Sequence, residues 1–284
     1  MSELVLKWLE SVKRSFTGIN HPAEWLSPQA DGCAACGKAI RFDTPSSSSS
    51  SSFGGLPVLL QRSLCIRCSQ SIPWLSRVRC AKCGRAIHCE DCVRNPERAF
   101  QLNRSAVEYD SVMRSWLALY KYRGKERMGP ILAEMLIPPY ERLTAAIGGR
   151  WDAITYVPIS EERAMERGFN QAEAMAGHLA GRFGLPLLPL LRRERHAEKM
   201  SFKTRTQRIR DVQTLFAPSH EGFRVLHARI HAAGQAPATA INLLLVDDIY
   251  TTGSTAGACA AVLKEASRSF GAEAHVYVLT WARS

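Results

Sequence analysis

One stretch of the chain crowds acid, hydroxyl and glycine residues together. Asp247 and Asp248 close the apolar run LLLV and are followed by Thr251, Thr252, Gly253, Ser254 and Thr255. Adjacent carboxylates at a strand end accept hydrogen bonds from two neighbouring hydroxyls, as a sugar diol presents them. A short loop of threonine, serine and glycine that opens a helix turns N–H groups, hydroxyls and the helix dipole toward a phosphate dianion. A diol reader beside a phosphate reader suits a 5-phosphoribosyl group. The simpler alternative is a strand, turn and helix with capping threonines, but it leaves two carboxylates at a buried strand end with no cation inside the motif to compensate them.

The cysteines form a second chemical constellation. Eight of the nine fall in four CxxC pairs: Cys33 and Cys36, Cys65 and Cys68, Cys80 and Cys83, Cys89 and Cys92. Taken in order they make two four-thiolate sets with the ligand spacing of structural zinc sites. Gly37 and Gly84 follow the second ligand of their pairs, where the knuckle turn favours a residue free to adopt positive φ. His88 offers an alternative ligand beside Cys89, and Cys259 lies among alanines and reads as core. No secretion signal is apparent, so disulfides are not expected. Zinc here is structural, because a module of about 60 residues with a serine-rich insertion has little core of its own. On this reading, Cys33→Ser or Cys80→Ser unfolds the module and largely spares the rest.

These residues need elements to position them. The 284 residues suit one α/β domain plus a smaller module. Residues 1–30 read as an amphipathic helix and linker, with Leu4, Val5, Trp8, Leu9, Val12 and Phe16 on one stripe. That helix docks on its own protein or serves a membrane surface or partner. Residues 31–104 hold the double zinc-ribbon module, with a serine-rich loop at 45–55 expected to be disordered. From 105 to 284 strands alternate with helices: AVEY, AITYVP, INLLLV and AHVYVLTWA are strands, and Asp110 and Asn170 are helix caps. This alternation predicts an α/β fold with a parallel sheet flanked by helices and ligands at the carboxyl ends of its strands.

The net charge of +11 suits polyanionic partners. Two four-thiolate zinc sites lower it to about +7, which is still basic. Residues 192–210 contain eight lysines and arginines against Glu194 and Glu198. A solvated basic loop and a contact for single-stranded nucleic acid both fit that segment. No apolar run approaches the roughly 20 residues of a membrane span, and a cytoplasmic protein is expected.

The segment from Leu243 to Thr255 resembles the phosphoribosyl-pyrophosphate signature of type I phosphoribosyltransferases. YVPISEERAMERGFNQAEAMA at 156–176 and YKYRG at 120–124, with the N-terminal CxxC pairs, resemble the ComF family of competence-associated phosphoribosyltransferase-like proteins. The resemblance implies a type I phosphoribosyltransferase fold with an N-terminal zinc-ribbon module. It implies that Asp247 and Asp248 are catalytic, and that they bind phosphoribosyl pyrophosphate with Thr251, Thr252, Gly253, Ser254 and Thr255. Arg163, Arg167 and Gly168 would receive pyrophosphate, Phe169 would anchor their loop, and Mg²⁺ would arrive with the ligand. The resemblance also implies that the basic segment is a mobile flap, although Met200 stands there where glutamine is common in the family. The implied role is phosphoribosyl transfer or sensing in DNA uptake and natural transformation. The alternative is a non-catalytic zinc adaptor that binds single-stranded DNA or a competence helicase.

Overall fold

The structure is a computed structural model that describes residues 32–40, 56–121, 127–194, 215–232 and 240–284. The amphipathic stretch at 4–16, the serine-rich loop and positions 195–210 of the basic segment lie outside the described residues.

The strands are β1 (Asn103–Glu108), β2 (Ala153–Tyr156), β3 (Leu191–Arg193), β4 (Phe216–Pro218), β5 (Ala240–Tyr250) and β6 (Glu273–Arg283). Four of them form one parallel sheet in the order β1-β6-β5-β2, as the alternation of elements predicts. β3 and β4 pair antiparallel as a separate hairpin at the root of the basic segment. The helices are α1 (Val58–Ser63), α2 (Ile66–Gln70), α3 (Glu90–Arg94), α4 (Ser111–Lys121), α5 (Met128–Glu134), α6 (Ile137–Ala146), α7 (Glu161–Arg167), α8 (Gln171–Phe183), α9 (His220–Ala232) and α10 (Ser254–Ser269). The predicted caps are present. Asp110 Oδ1 accepts from Met113 N at 2.8 Å, and Asn170 Oδ1 accepts from Ala172 N at 3.0 Å.

β5 is apolar without interruption because both of its faces are covered. Leu244 and Val246 point into a core with Met113, Leu132 and Leu179 from α4, α5 and α8. Leu243 and Leu245 point into a second core with Phe223 and Leu263 from α9 and α10. β5 also runs further than its sequence suggests. The carboxylates do not stand at a turn but inside the strand, because β6 continues to pair with β5 as far as Tyr250 and Arg283. β2 stops opposite Val246, so among the described residues β6 is the strand neighbour β5 keeps from Asp247 onward.

The cysteine-bearing segments are built into the same cores. Cys33 packs with Leu60, Leu64 and the α4–α5 side chains, whereas Cys83, Cys89 and Cys92 pack with Phe100, Tyr250 and Val278 on the opposite face. The chain between the two sets also lines the outer edge of β1. Leu75 N donates to Ala106 O at 2.9 Å, Glu108 N donates to Pro73 O at 3.0 Å, and Trp74 bridges Val107. This packing argues against the expectation that losing a cysteine ligand would spare the α/β fold. Cys80→Ser is expected to destabilise the whole chain by about 4 kcal/mol or more in one cooperative transition. Circular dichroism and tryptophan fluorescence should report the same lowered midpoint; an early separate transition with the main midpoint unchanged would contradict it.

Candidate functional site

Asp247 and Asp248 lie where β5 loses β2. The Asp248 N–H donates to Asp247 Oδ1 at 2.8 Å, which turns one carboxylate back onto the strand. Burial pushes the Asp247 carboxyl well above the ordinary carboxylate range, and the neighbouring Asp248 charge pushes it further. The compensating cation is not in the motif. It is Lys121, at the end of α4, whose Nζ lies 3.2 Å from Asp248 Oδ2. The sequence gives no spacing rule that pairs residues 121 and 248, although Lys121 falls within YKYRG.

Downstream, Gly253 takes φ +81° as the N-cap of α10, so the first turn of that helix has no capping side chain on its N-cap residue. Thr252 Oγ1 and Ser254 Oγ share a 2.8 Å hydrogen bond, and Thr251, Thr252 and Ser254 are exposed. A Cβ on Gly253 would collide with Tyr250 Oη and come within 3.0 Å of Arg98 Nη1. Arg98, unremarkable in the sequence, donates from Nη1 to Thr252 O at 2.8 Å.

The loop after β2 lies beside this region, since Val157 N donates to Val246 O at 3.0 Å. It is largely helical: Arg163 and Arg167 occupy α7, and Gly168 closes that helix at φ +79°. Arg167 Nη1 donates to Gln171 Oε1 at 2.9 Å. The Arg163 charge lies near enough to Arg193 to add to the effect of burial in lowering its pKa, so the root of the basic segment approaches α7. Among the described residues neither Arg163 nor Arg167 is ion-paired with Asp247 or Asp248. Phe169 packs against Tyr120 with ring centroids 5.1 Å apart, one residue from Lys121.

The cysteines gather as their spacing predicts, Cys33, Cys36, Cys65 and Cys68 in one set and Cys80, Cys83, Cys89 and Cys92 in the other. Within each set the ligand atoms all lie within 4.8 Å of one another. Cys36 Sγ and Cys65 Sγ are 3.7 Å apart, and Cys83 Sγ and Cys89 Sγ 3.5 Å. A zinc tetrahedron with sulfur at about 2.3 Å has edges of about 3.8 Å, whereas a disulfide needs about 2.05 Å. The sets therefore fit two structural zinc ions. Gly37 and Gly84 adopt φ +74° and +77°, as the knuckle turn requires. Burial opposes ionisation of Cys33, but backbone N–H groups of Cys65, Cys36 and Ala35 outweigh it and bring that thiol to about 7. Cys89 is likewise brought to about 7 against burial, chiefly by the Cys92 N–H. Burial and crowding by neighbouring sulfurs push Cys68 and Cys92 up, so a cation is needed before all four in a set ionise. His88 is not in either set, and Cys259 is buried in the helix core.

No protein-family model matches the chain. Competence protein ComFC of Bacillus subtilis (strain 168) is 26% identical over 216 residues, which cover 72% of this chain and 80% of that protein. Competence protein ComFC of Streptococcus pneumoniae (strain ATCC BAA-255 / R6) is 25% identical over 207 residues, covering 72% and 82% respectively. Over most of its length the chain is thus similar to two ComFC competence proteins. Its two ComF-like stretches, 120–124 and 156–176, meet in space through Tyr120 and Phe169, and the first delivers Lys121 to the carboxylate pair. Among the described residues no helix is long and apolar enough to cross a membrane.

The raised Asp247 pKa gives a pH-dependent stability. The folded chain holds this proton above the ordinary aspartate value of about 3.9, so stability is fully present below that pH and is lost as pH rises toward the folded pKa. Asp247→Asn removes the penalty. Its melting temperature relative to wild type should rise as pH increases above about 4, and a difference that does not change with pH would contradict the assignment.

Proposed function

We propose that this chain binds phosphoribosyl pyrophosphate at the carboxyl ends of β5 and β2 and transfers its phosphoribosyl group. The observation that carries the reading is the Asp247–Asp248 pair, held inside β5 at the point where β2 ends, with the hydroxyl-rich loop 251–255 directly after it. In this reading the carboxylates accept from the ribose 2′- and 3′-hydroxyls. N–H groups and hydroxyls of Thr251, Thr252, Gly253, Ser254 and Thr255 receive the 5-phosphate. Arg163, Arg167 and the Gly168 backbone receive pyrophosphate, and Lys121 leaves Asp248 partly compensated when no ligand is bound.

Magnesium would be carried largely by pyrophosphate and ribose oxygens, which asks for no protein cage. Catalysis needs no strong nucleophile: the site would stabilise positive charge developing on the ribose carbon while the arginines meet the charge building on the leaving pyrophosphate. The β3–β4 hairpin supports a flap reading for the basic segment, because its root brings Arg193 near Arg163. The relatives are named competence proteins, and we place the activity in DNA uptake, in the cytoplasm, with single-stranded DNA and a competence helicase as candidate partners.

Calorimetry with phosphoribosyl pyrophosphate and magnesium tests the site. Asp247→Asn combined with Asp248→Asn removes charge-assisted hydrogen bonds at constant size, so affinity should fall about tenfold to several hundredfold. Wild-type protein that binds nothing, or a double variant that binds equally well, would overturn the reading. Pyrophosphate release assayed with bases, nucleotides and DNA ends would identify the acceptor.

A further inference from the structure

We propose that Arg98 is a positioning residue for the 251–255 loop, and that it makes the shape of that loop depend on the second four-cysteine site. Arg98 follows the last cysteine of that site by six positions and contacts three backbone carbonyls. Nη2 donates to Asp91 O at 3.3 Å and Nε to Asn95 O at 3.3 Å, both in or next to α3, which carries Cys92. Nη1 donates to Thr252 O at 2.8 Å. One guanidinium thus ties the metal-binding turn to the loop, and its planar fork fixes the angle between them.

The consequence for the loop follows from peptide geometry. In a planar trans peptide the C=O and N–H point in opposite directions. Holding the Thr252 carbonyl toward Arg98 therefore holds the Gly253 N–H on the opposite side, away from the cysteine site. Arg98 acts through this peptide and does not itself need to touch a ligand. The space that a Cβ would require at position 253 is already taken by Tyr250 Oη and Arg98 Nη1, so the residue can only be glycine while both stay in place.

A second linkage runs beneath the loop. Tyr250, three residues before Gly253, packs edge-on against Phe100 with centroids 6.1 Å apart. The Arg283 guanidinium lies 4.8 Å from the Tyr250 ring centre, donates from Nη1 to Tyr250 O at 3.4 Å, and places Nη2 3.9 Å from Cys83 Sγ. Asn103 Nδ2 donates to Cys83 O at 3.0 Å, which fixes the same knuckle to β1. The second cysteine site is therefore clamped to the loop from the solvent side by Arg98 and from the core side by Arg283 and Tyr250. The first site has no such connection among the described residues; its Cys33 packs on the other face of the sheet.

Amide hydrogen exchange on the full chain tests this, with Arg98→Met, Arg98→Lys and, as a control, Arg94→Met, whose side chain donates to Glu90 on the same helix. In Arg98→Met, peptides spanning 250–256 should exchange about tenfold faster, with β1 and α8 unchanged. Arg98→Lys should fall between that variant and wild type, and Arg94→Met should match wild type. Because coupling is reciprocal, a chelator should also withdraw one of the two zinc ions faster from Arg98→Met and leave the other unaffected. Adding phosphoribosyl pyrophosphate should slow release of that ion in wild type but not in Arg98→Met. Only this last arm rests on the proposed ligand, so its failure alone would count against that ligand and leave the coupling standing. Loop exchange and zinc release equal to wild type in Arg98→Met would overturn the proposal, as would faster exchange spread evenly over the chain.

Discussion

Because β6 pairs with β5 as far as Tyr250 while β2 ends opposite Val246, the two residues after Val246 keep β6 as a strand neighbour on one side and have lost β2 on the other. The candidate site depends on that difference in strand length. A carboxylate pair in a loop would be solvated and mobile; inside a strand it is fixed in direction and partly stripped of water, which is costly unless partners are supplied. The partners here are the Asp248 N–H, for Asp247, and Lys121, for Asp248. On the proposed reading a ribose diol takes up the acceptor capacity that these partners leave on the two carboxylates.

The cysteine sets extend the same logic outward. They do not form a lobe hung on the sheet; each contributes sulfur and apolar side chains to a core on a different face. A four-thiolate site with zinc carries net negative charge, and the buried Arg283 guanidinium beside Cys83 compensates the second one. That arginine pairs through β6 with Tyr250, the last residue of β5. Charge compensation at the metal and the path of the chain into the 251–255 loop thus fall to neighbouring residues of one parallel pair.

Much of this was legible in the sequence where local chemistry decides it. LLLV declared a covered strand, CxxC spacing declared the two ligand sets, and Asp110 and Asn170 declared helix starts, because each depends on residues within a few positions. The length of β5 was not legible, since Ile249 and Tyr250 extend the strand only because β6 is there to pair with them. Helices α6, α7 and α9 were likewise obscured: Pro138 and Pro139 open α6, and α7 is a short segment with no buried side chain to give it a periodic stripe. Lys121 and Arg98 were invisible as site residues because their partners are more than a hundred positions away. What the sequence could show was a deficit, two carboxylates lacking a cation, and the fold supplies it from α4.

The central claim is that the Asp247–Asp248 pair reads a ribose diol. Its most direct test compares ribose 5-phosphate with 2-deoxyribose 5-phosphate by calorimetry on the wild-type chain, two ligands that share the phosphate and differ by one hydroxyl. The account predicts weaker binding of the deoxy sugar by about tenfold or more, the loss of a hydrogen bond to a charged acceptor. Equal affinity for the two would show that the carboxylates do not read the diol and would contradict the account.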